Sequence, residues 1–318
     1  MRIVVLDGYT LNPGDNPWDK VAALGAFTVY DRTPKEQIVE RAEDADIVLT
    51  NKTPLSAETL EQLPDLKFIA VLATGYNVVD VGAARERGIP VSNVPVYGTD
   101  AVAQFVFALL LELCHHVAAH DASVKNGDWS NSADFCYWNT PLIELAGKRM
   151  GLVGFGRIGR RVGELAHAFG MEVLAHDVQP GEPPDYAPFE WRSIDEVFAE
   201  ADVVSLHCPQ TPENAGFVNG ALLGRMQPHA FFINTARGGL VNEKDLAEPL
   251  SKGTIAGAAV DVVSSEPIVP DNPLLKAKNI LITPHIAWAT LAARQRLMHT
   301  TAENIAAFIE GAPVNVVN

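Results

Sequence analysis

One glycine-rich stretch limits the possible folds of this chain more than any other feature. The apolar run Met150–Val153 is typical of a short buried strand, and Gly154, Gly156 and Gly159 follow it in G-x-G-x-x-G spacing, at the start of a helix-like segment. Gly154 permits a tight turn, Gly156 lets a pyrophosphate approach the backbone, and Gly159 lets the helix pack closely on the strand. The stretch therefore predicts a dinucleotide-binding turn.

An acidic residue follows at the distance that such a turn requires. Asp177 ends the next apolar run and stands 18 residues after Gly159, where a carboxylate would meet the adenosine ribose hydroxyls. The pyrophosphate would lie on backbone N–H groups at the positive end of the helix, those of Arg157 and Ile158 included. Neither Arg nor Lys stands beside Asp177, so we expect NAD in preference to NADP. The alternative is a glycine-rich turn with an incidental aspartate.

The first hundred residues alternate short apolar runs with helix-like segments. The strand candidates are Ile3–Leu6, Phe27–Tyr30, Ile47–Leu49, Phe68–Leu72 and Ile89–Val91, and the helix candidates are Trp18–Leu24, Lys35–Ala42, Ser56–Gln62 and Val79–Arg87. Nearly continuous apolar strands separated by helices are typical of a parallel sheet covered on both faces. Ser56 is predicted to be a helix N-cap.

The same alternation returns after Gly147, with six strand candidates, as a dinucleotide fold requires. They are Arg149–Val153, Val173–Ala175, Val203–Leu206, Phe231–Ile233, Ala258–Val260 and Ile280–Ile282. The clearest helices between them are Asp195–Ala201 and Asn242–Leu250, and a further long helical pattern covers Trp288–Glu310. The chain is thus predicted to be an α/β protein with two domains, both doubly wound.

The segment between these two halves has the composition of a subunit contact. Residues from Thr99 to about Lys125 have apolar side chains at helical spacing and predict one long helix. A loop rich in Trp and Asn, which includes Trp129 and Trp138, follows it. We expect this combination to be too apolar for exposure and to form a homodimer interface. The alternative is a loop packed on its own domain.

Charge and cysteine content exclude several classes of partner. The formal net charge is −15, so a nucleic-acid partner, which favours clustered Lys and Arg, is not expected. The three cysteines are sparse and lack both disulfide-framework and zinc-site spacing, which indicates a cytoplasmic protein without a metal site. The chain opens on a strand-like run and its most apolar run is too short for a bilayer, so neither a signal peptide nor a membrane segment is expected.

Reactive side chains stand in three loops that follow predicted strands of the second half. Arg237, Glu266 and His285 should therefore gather at one edge of the sheet. Arginine can hold a 2-oxo-carboxylate in bidentate geometry, histidine can give or take a proton near neutral pH, and glutamate can orient an imidazole. Taken singly, each has an ordinary alternative: a buried histidine, a helix-capping arginine or a solvated loop acid.

A turn in the first half offers a second candidate anion site. Ala73, Thr74 and Gly75 follow the strand that ends at Leu72, and backbone N–H groups of such a turn can bind a carboxylate. From position alone, an ordinary turn between strand and helix is as good an interpretation.

Together these motifs resemble the D-isomer-specific 2-hydroxyacid dehydrogenases, over essentially the whole chain. The matching motifs are Gly154-Phe-Gly-Arg-Ile-Gly159, His207-Cys-Pro-Gln-Thr-Pro212, Asn234-Thr-Ala-Arg-Gly-Gly239, Asp261, Ser265-Glu-Pro267 and Pro284-His-Ile-Ala287. Within that family, the segments 96–104 and 284–290 look most like bacterial glycerate dehydrogenases, also called hydroxypyruvate reductases.

The resemblance implies a fold and a role for each site residue. Residues 1–98 and 287–318 would form a flavodoxin-like substrate domain, into which a Rossmann NAD-binding domain, residues 99–286, is inserted. Hydride would pass between NADH and C2 of a small 2-oxo acid such as hydroxypyruvate or glyoxylate. The resemblance implies that Arg237, Glu266 and His285 are catalytic. Substrate binding is implied for Arg237, for His285 and for the backbone of Ala73, Thr74 and Gly75. Thr235, Ala236 and Asp261 would contact the nicotinamide half of the cofactor, and Cys208 and Pro209 would contact its adenine side.

Two kinds of alternative remain within the same scaffold. The substrate could be another 2-oxo acid, or the protein could be a non-catalytic NAD-sensing corepressor, although no extended partner-binding tail is visible. A formate or phosphite dehydrogenase is disfavoured, because formate enzymes of this family carry Gln at the position of Glu266.

Overall fold

The structure, a computed structural model, describes all residues from 1 to 318. The chain divides into two compact units, each built on its own parallel sheet. Unit 1 consists of residues 1–98 and 288–318, and unit 2 consists of residues 99–287. The predicted α/β class with two doubly wound domains is confirmed.

Unit 1 has a five-stranded sheet in the order β2-β1-β3-β4-β5, which is the flavodoxin-like order. All its strand pairs are parallel. The strands are β1 Arg2–Val5, β2 Ala26–Val29, β3 Ile47–Thr50, β4 Phe68–Val71 and β5 Val91–Ser92. The helices are α1 Asp19–Ala22, α2 Ile38–Ala42, α3 Ala57–Glu61, α4 Val81–Glu86 and α11 Leu291–Ile309, with a 3-10 turn at Lys35–Gln37.

Alternation along the strands divides the unit 1 core into two layers. Even positions of β1, such as Val4, pack with buried side chains of α2, α3 and α4. Odd positions, such as Ile3, pack with those of α1 and α11. Since successive strand residues point to opposite faces, nearly continuous apolar strands are required for a sheet covered on both sides. Ser56 caps α3 as predicted, because its side chain accepts a hydrogen bond from the Thr59 N–H.

Unit 2 has seven parallel strands in the order β12-β11-β10-β9-β6-β7-β8. Counted from β6, six of them follow the 3-2-1-4-5-6 order of dinucleotide-binding folds, with one more strand at the edge. The strands are β6 Arg149–Val153, β7 Glu172–His176, β8 Phe189–Trp191, β9 Val203–Leu206, β10 Phe231–Asn234, β11 Gly257–Val260 and β12 Ile280–Ile282.

The helices of unit 2 cover both faces of this sheet. They are α5 Thr99–His115, α6 Val117–Lys125, α7 Arg157–Ala168, α8 Ile194–Glu200, α9 Gly220–Leu223 and α10 Glu243–Lys252, with 3-10 turns at Pro212–Asn214, Gly238–Leu240 and Pro273–Lys276. The six predicted strands are confirmed. The seventh, β8, was missed because it is short, and its aromatic side chains pack around the ring of Phe155.

The prediction of a single helix from Thr99 to Lys125 is wrong. The helix breaks at His116, which has a left-handed backbone with φ of 46°, and α5 and α6 meet at a bend of 52°. The apolar residues of α5, such as Val106 and Leu110, are buried in the core of unit 2 and not at the surface. No single helix is long and apolar enough to cross a membrane, and only the bent pair α5 and α6, taken together, passes that test.

Candidate active site

Three neighbouring strands of unit 2 end at the same edge of the sheet, and their loops contact one another. The Asp261 N–H donates to the Asn234 carbonyl at 2.9 Å, and the His285 N–H donates to the Asp261 carbonyl at 2.8 Å. Gly238 packs so tightly that a Cβ there would lie 1.9 Å from the Val263 carbonyl carbon. The loops that carry Arg237, Glu266 and His285 are therefore contiguous, as the sequence predicted.

A short hydrogen bond joins the predicted histidine and glutamate. His285 Nδ1 lies 2.6 Å from Glu266 Oε2, and the two side chains are 26% and 33% exposed. An ionised carboxylate can only accept, so Nδ1 carries the hydrogen and Nε2 is the ring nitrogen that remains for a substrate. The backbone of His285 is left-handed, with φ of 55°. Such a conformation in a non-glycine residue persists only where the surroundings hold it.

Asp261 provides that hold. Its carboxylate is 1% exposed and accepts hydrogen bonds from Thr283 Oγ1 at 2.6 Å, the Ile286 N–H at 2.9 Å and the Ala287 N–H at 2.8 Å. Both oxygens of this carboxylate thus bind the loop that carries His285. The contact of Asp261 with nicotinamide that the resemblance implied stays a prediction.

Arg237 lies on the neighbouring loop, exposed at the same sheet edge. The buried Asn234 side chain shapes this loop, because its Nδ2 donates to the Arg237 carbonyl at 2.9 Å and its Oδ1 accepts the Ala236 N–H at 3.0 Å. Arg237 Nη1 donates to the Ala236 carbonyl at 2.7 Å. The structure shows no other hydrogen bond of this exposed guanidinium, so its remaining donors can bind an anion.

The glycine turn at the start of α7 has the geometry that a dinucleotide needs. Gly154 has φ of 92°, and a Cβ on Gly159 would lie 2.1 Å from the Gly154 carbonyl oxygen. A Cβ on Gly156 would meet nothing within 4 Å, so this side of the turn is open. No side chain caps the N-terminus of α7. The first N–H groups of the helix, where Arg157 and Ile158 stand, are thus arranged to receive a phosphate.

Asp177 lies directly beside this turn. Its Oδ2 accepts the Phe155 N–H at 2.8 Å, and its Oδ1 accepts the Gln179 N–H at 3.1 Å. These bonds fix the carboxylate at the end of β7, with lone pairs remaining for ribose hydroxyls. The next side chain, Val178, is 90% exposed and carries no charge.

Buried polar atoms without partners lie at the ends of β9 and β10. Thr235 Oγ1 and His207 Nε2 are buried and make no hydrogen bond. Burial lowers the pKa of His207 to about 3 and raises the pKa of the Cys208 thiol to about 11, so both side chains are neutral near pH 7. Unsatisfied buried polar atoms are rare in folded proteins and indicate a ligand or a functional strain. The open glycine turn, the fixed carboxylate and these atoms together fit a nicotinamide dinucleotide.

In unit 1, the loop after β4 exposes a row of backbone donors. The Ala73 carbonyl accepts the Val94 N–H at 3.0 Å, and the Thr74 carbonyl accepts Asn93 Nδ2 at 2.7 Å. The N–H groups of Ala73, Thr74 and Gly75 make no hydrogen bond in the structure. Backbone N–H groups that are not used within the fold can donate to an anion, while the carbonyls beside them are already occupied. This geometry favours the carboxylate-binding interpretation over an ordinary turn.

Sequence reasoning missed one residue of this region. Glu243, the first residue of α10, binds the loop that carries Glu266. Nothing in the local sequence could have shown this, because the partners of its carboxylate lie 21 and 29 residues away.

Comparison with known proteins identifies the family of this chain. A family model described as the NAD-binding domain of D-isomer-specific 2-hydroxyacid dehydrogenases matches residues 107–287. The chain is 50% identical to a hydroxypyruvate reductase of Blautia hydrogenotrophica, with 100% of both chains covered. It is 42% identical to a glycerate dehydrogenase of Methylorubrum extorquens, over 89% of this chain and 88% of that protein.

A solved structure shows the same architecture. The TT0316 protein of Thermus thermophilus superposes with a TM-score of 0.88 at 36% identity, with 100% of both chains covered. Sequence, fold and site geometry agree, and this chain therefore belongs to the D-isomer-specific 2-hydroxyacid dehydrogenase family.

Proposed function

We propose that this protein reduces small 2-oxo acids, hydroxypyruvate and glyoxylate first, to the corresponding 2-hydroxy acids with NADH. The observation that carries the proposal is the 2.6 Å bond between His285 Nδ1 and Glu266 Oε2, at the sheet edge where Arg237 stands. The names of the two curated relatives support the same substrate class.

His285 is the proposed acid and base of the reaction. When bound, a reduced nicotinamide would supply the hydride that the carbonyl carbon of the substrate accepts. His285, protonated on both nitrogens, donates the Nε2 proton to the carbonyl oxygen, because Nδ1 is held by Glu266. The Glu266 carboxylate stabilises the imidazolium before transfer and orients the ring. In the oxidative direction, neutral His285 removes the hydroxyl proton.

Arg237 is the proposed partner of a substrate carboxylate in unit 2, and the N–H groups of residues 73–75 are the proposed carboxylate-binding donors of unit 1. A guanidinium can bind a carboxylate through two parallel hydrogen bonds, which fixes its orientation as well as its position. Backbone donors add hydrogen bonds without mobile side chains. In a chain with a net charge of −15, such local donors are needed to attract an anionic substrate.

Asp177 is the proposed determinant of NADH preference. Its fixed carboxylate can accept hydrogen bonds from the adenosine ribose, and it would repel a 2′-phosphate. Arg157, Ile158 and the three glycines would hold the pyrophosphate, Cys208 and Pro209 the adenine side, and Thr235 and Ala236 the nicotinamide half. The unpartnered Thr235 hydroxyl supports the last of these assignments.

The decisive assay follows NADH absorbance. Hydroxypyruvate, glyoxylate, pyruvate and phenylpyruvate are tested with NADH for its loss, and formate and phosphite are tested with NAD for its gain. We expect turnover of the short 2-oxo acids and loss of activity in both directions in His285→Ala, because no acid or base remains. NADH binding without turnover of any substrate would favour the corepressor alternative. Turnover of formate or phosphite alone would refute the proposed substrate class.

A homodimer is the proposed assembly. With α5 buried in its own unit, the apolar exposure is concentrated in residues 117–142. Phe135 is 89% exposed, Trp138 65% and Trp129 52%. A cavity of about 500 Å³ lies at the end of this segment, and its lining includes Thr140, Pro141 and Leu281. Light scattering at micromolar concentration should give twice the chain mass, and Phe135→Asp should lower it. Val178→Asp, at an equally exposed position, is the control, and a parent of monomer mass would refute the dimer.

The cytoplasm is the proposed compartment, without nucleic-acid or membrane partners. Three unpaired cysteines, one of them exposed, support a reducing environment. The acidic net charge disfavours binding to nucleic acid. Fractionation of cells that express the chain would test the compartment.

A further inference from the structure

The carboxylate of Glu243 is bound on three sides by one distant loop. Its Oε1 accepts the Ser264 N–H at 2.7 Å. Its Oε2 accepts Ser264 Oγ at 2.8 Å and Asn272 Nδ2 at 2.9 Å. Asn272 is 3% exposed, so part of this cluster is buried. Hydrogen bonds to an ionised acceptor are stronger than neutral ones, and three of them fix a loop firmly.

Local helix structure does not account for this arrangement. Glu243 is the first residue of α10, but the N-cap of that helix is Asn242, whose side chain accepts the Asp245 N–H at 3.2 Å. Both oxygens of Glu243 bind outside the helix. Its role is therefore tertiary, and concerns the loop that contains Ser264.

That loop carries the partner of the proposed catalytic histidine. Ser264 stands two residues before Glu266, and the Val263 N–H donates to Glu266 Oε1 at 3.3 Å. Gly238 closes the other side of the loop, because it contacts the backbone of Val263 and Ser264. The loop is thus held between α10 and the Arg237 loop, and Glu266 Oε2 extends from it to His285 Nδ1 at 2.6 Å.

We propose that Glu243 is a positioning residue that holds residues 263–266 so that Glu266 meets His285, an inference that rests on the proposed function for its catalytic meaning. Glu243 acts only through the loop and touches no reacting atom. The geometry of the His285–Glu266 pair then depends on the carboxylate of Glu243 at the start of α10.

The test replaces the carboxylate with its amide. In Glu243→Gln, an NH₂ group, which can only donate, replaces one of the two accepting oxygens. The donors of Ser264 and Asn272 that bound that oxygen then face another donor, so at least one of the three bonds is lost. We expect kcat to fall about tenfold while the Kd for NADH stays unchanged, because the loop contacts the acid/base pair and not the glycine turn. The matched control is Glu248→Gln on the same helix, where the carboxylate binds only Lys252.

A double variant separates positioning from general loosening. If Glu243 acts through Glu266, then Glu243→Gln should change kcat by less than about twofold in a Glu266→Gln background. Independent losses that multiply would overturn the proposal.

A readout that needs no activity completes the test. In ¹⁵N-histidine spectra, with the His285 signal assigned from its absence in His285→Asn, Glu243→Gln should shift the Nδ1 resonance toward its position in Glu266→Gln. An unchanged resonance would overturn the proposal. A parent inactive on every 2-oxo acid would refute only the proposed function, because the resonance still reports on the pair. If Glu243→Gln does not fold, Ser264→Ala removes one bond to the same carboxylate and should shift the resonance in the same direction by less.

Discussion

Replacement of Glu266 by Gln isolates the charge of the acid/base pair from its geometry. The amide oxygen can still accept the Nδ1 hydrogen of His285, which lies 2.6 Å from the carboxylate in the structure. What is lost is the negative charge. The other carboxylate that faces the histidine backbone, Asp261, is buried and keeps its three hydrogen bonds to the loop.

The exposure of the pair sets the size of the effect. The side chains are 26% and 33% exposed, so the pair lies between a surface salt bridge, at about 0.2–1 kcal/mol, and a buried one, at about 3–5 kcal/mol on loss of a partner. We take ~1.4 kcal/mol, the equivalent of a tenfold change in an equilibrium constant, as the electrostatic contribution of the Glu266 charge.

The sign follows from which form of His285 each direction requires. Reduction needs the imidazolium, which Glu266 stabilises, so kcat/KM for hydroxypyruvate with NADH should fall off at lower pH in Glu266→Gln than in the parent. Oxidation needs the neutral imidazole, so kcat/KM for D-glycerate with NAD should begin to rise at lower pH. Both limbs are measured by NADH absorbance across a pH series.

The matched control is Glu248→Gln, which removes a carboxylate that is paired with Lys252 on an exposed face of α10. Its pH profiles should coincide with those of the parent. If neither limb moves in Glu266→Gln, the charge of Glu266 does not act on His285, and the assignment of the pair as acid/base and partner is refuted.

Three further predictions concern the cofactor and substrate contacts. Asp177→Ala should reduce the NADH preference, measured as a ratio of kcat/KM values, by about a hundredfold, because it removes both a charge-assisted acceptor and a repulsion; equal use of both cofactors by the parent would contradict this. Arg237→Lys keeps the charge but loses the planar fork, so KM should rise and kcat fall together by about tenfold or more; unchanged constants would exclude bidentate binding. Gly156→Val should weaken NADH binding in a fluorescence titration without lowering Tm, since a Cβ there meets nothing within 4 Å. Gly159→Ala should instead lower the free energy of unfolding by about 1–3 kcal/mol. The reverse pattern would refute the assignment of Gly156 to cofactor approach and of Gly159 to helix packing.

Local patterns in the sequence determined most of the architecture. A parallel sheet covered on both faces needs nearly continuous apolar strands, and the runs around Val4, Val153 and Val260 are of this kind. The glycine turn and Asp177 depend on spacing within a single βαβ unit, and spacing is visible in the sequence. Arg237, Glu266 and His285 follow three strands that lie side by side, and strand ends at one edge gather their loops without further information.

Tertiary packing decided the features that no local pattern encodes. The break at His116 has neither Pro nor Gly to mark it. The edge strand β8 has three residues, and its aromatic side chains pack against the ring of Phe155, more than 30 residues earlier in the chain. The helix α5, before the break, is apolar because its side chains are buried in the core of unit 2. The sequence alone could not distinguish such a core helix from a helix at a subunit contact.

The supports of the site were decided in the same way. Asp261 holds the His285 loop through backbone N–H groups, and Glu243 binds a loop 21 residues ahead. Each of these carboxylates is an ordinary acid in the sequence. The hydrogen-bond partners of each carboxylate come within reach only after the sheet has brought the loops together. A hydrogen bond between distant residues depends on their positions in space and not on their spacing along the chain.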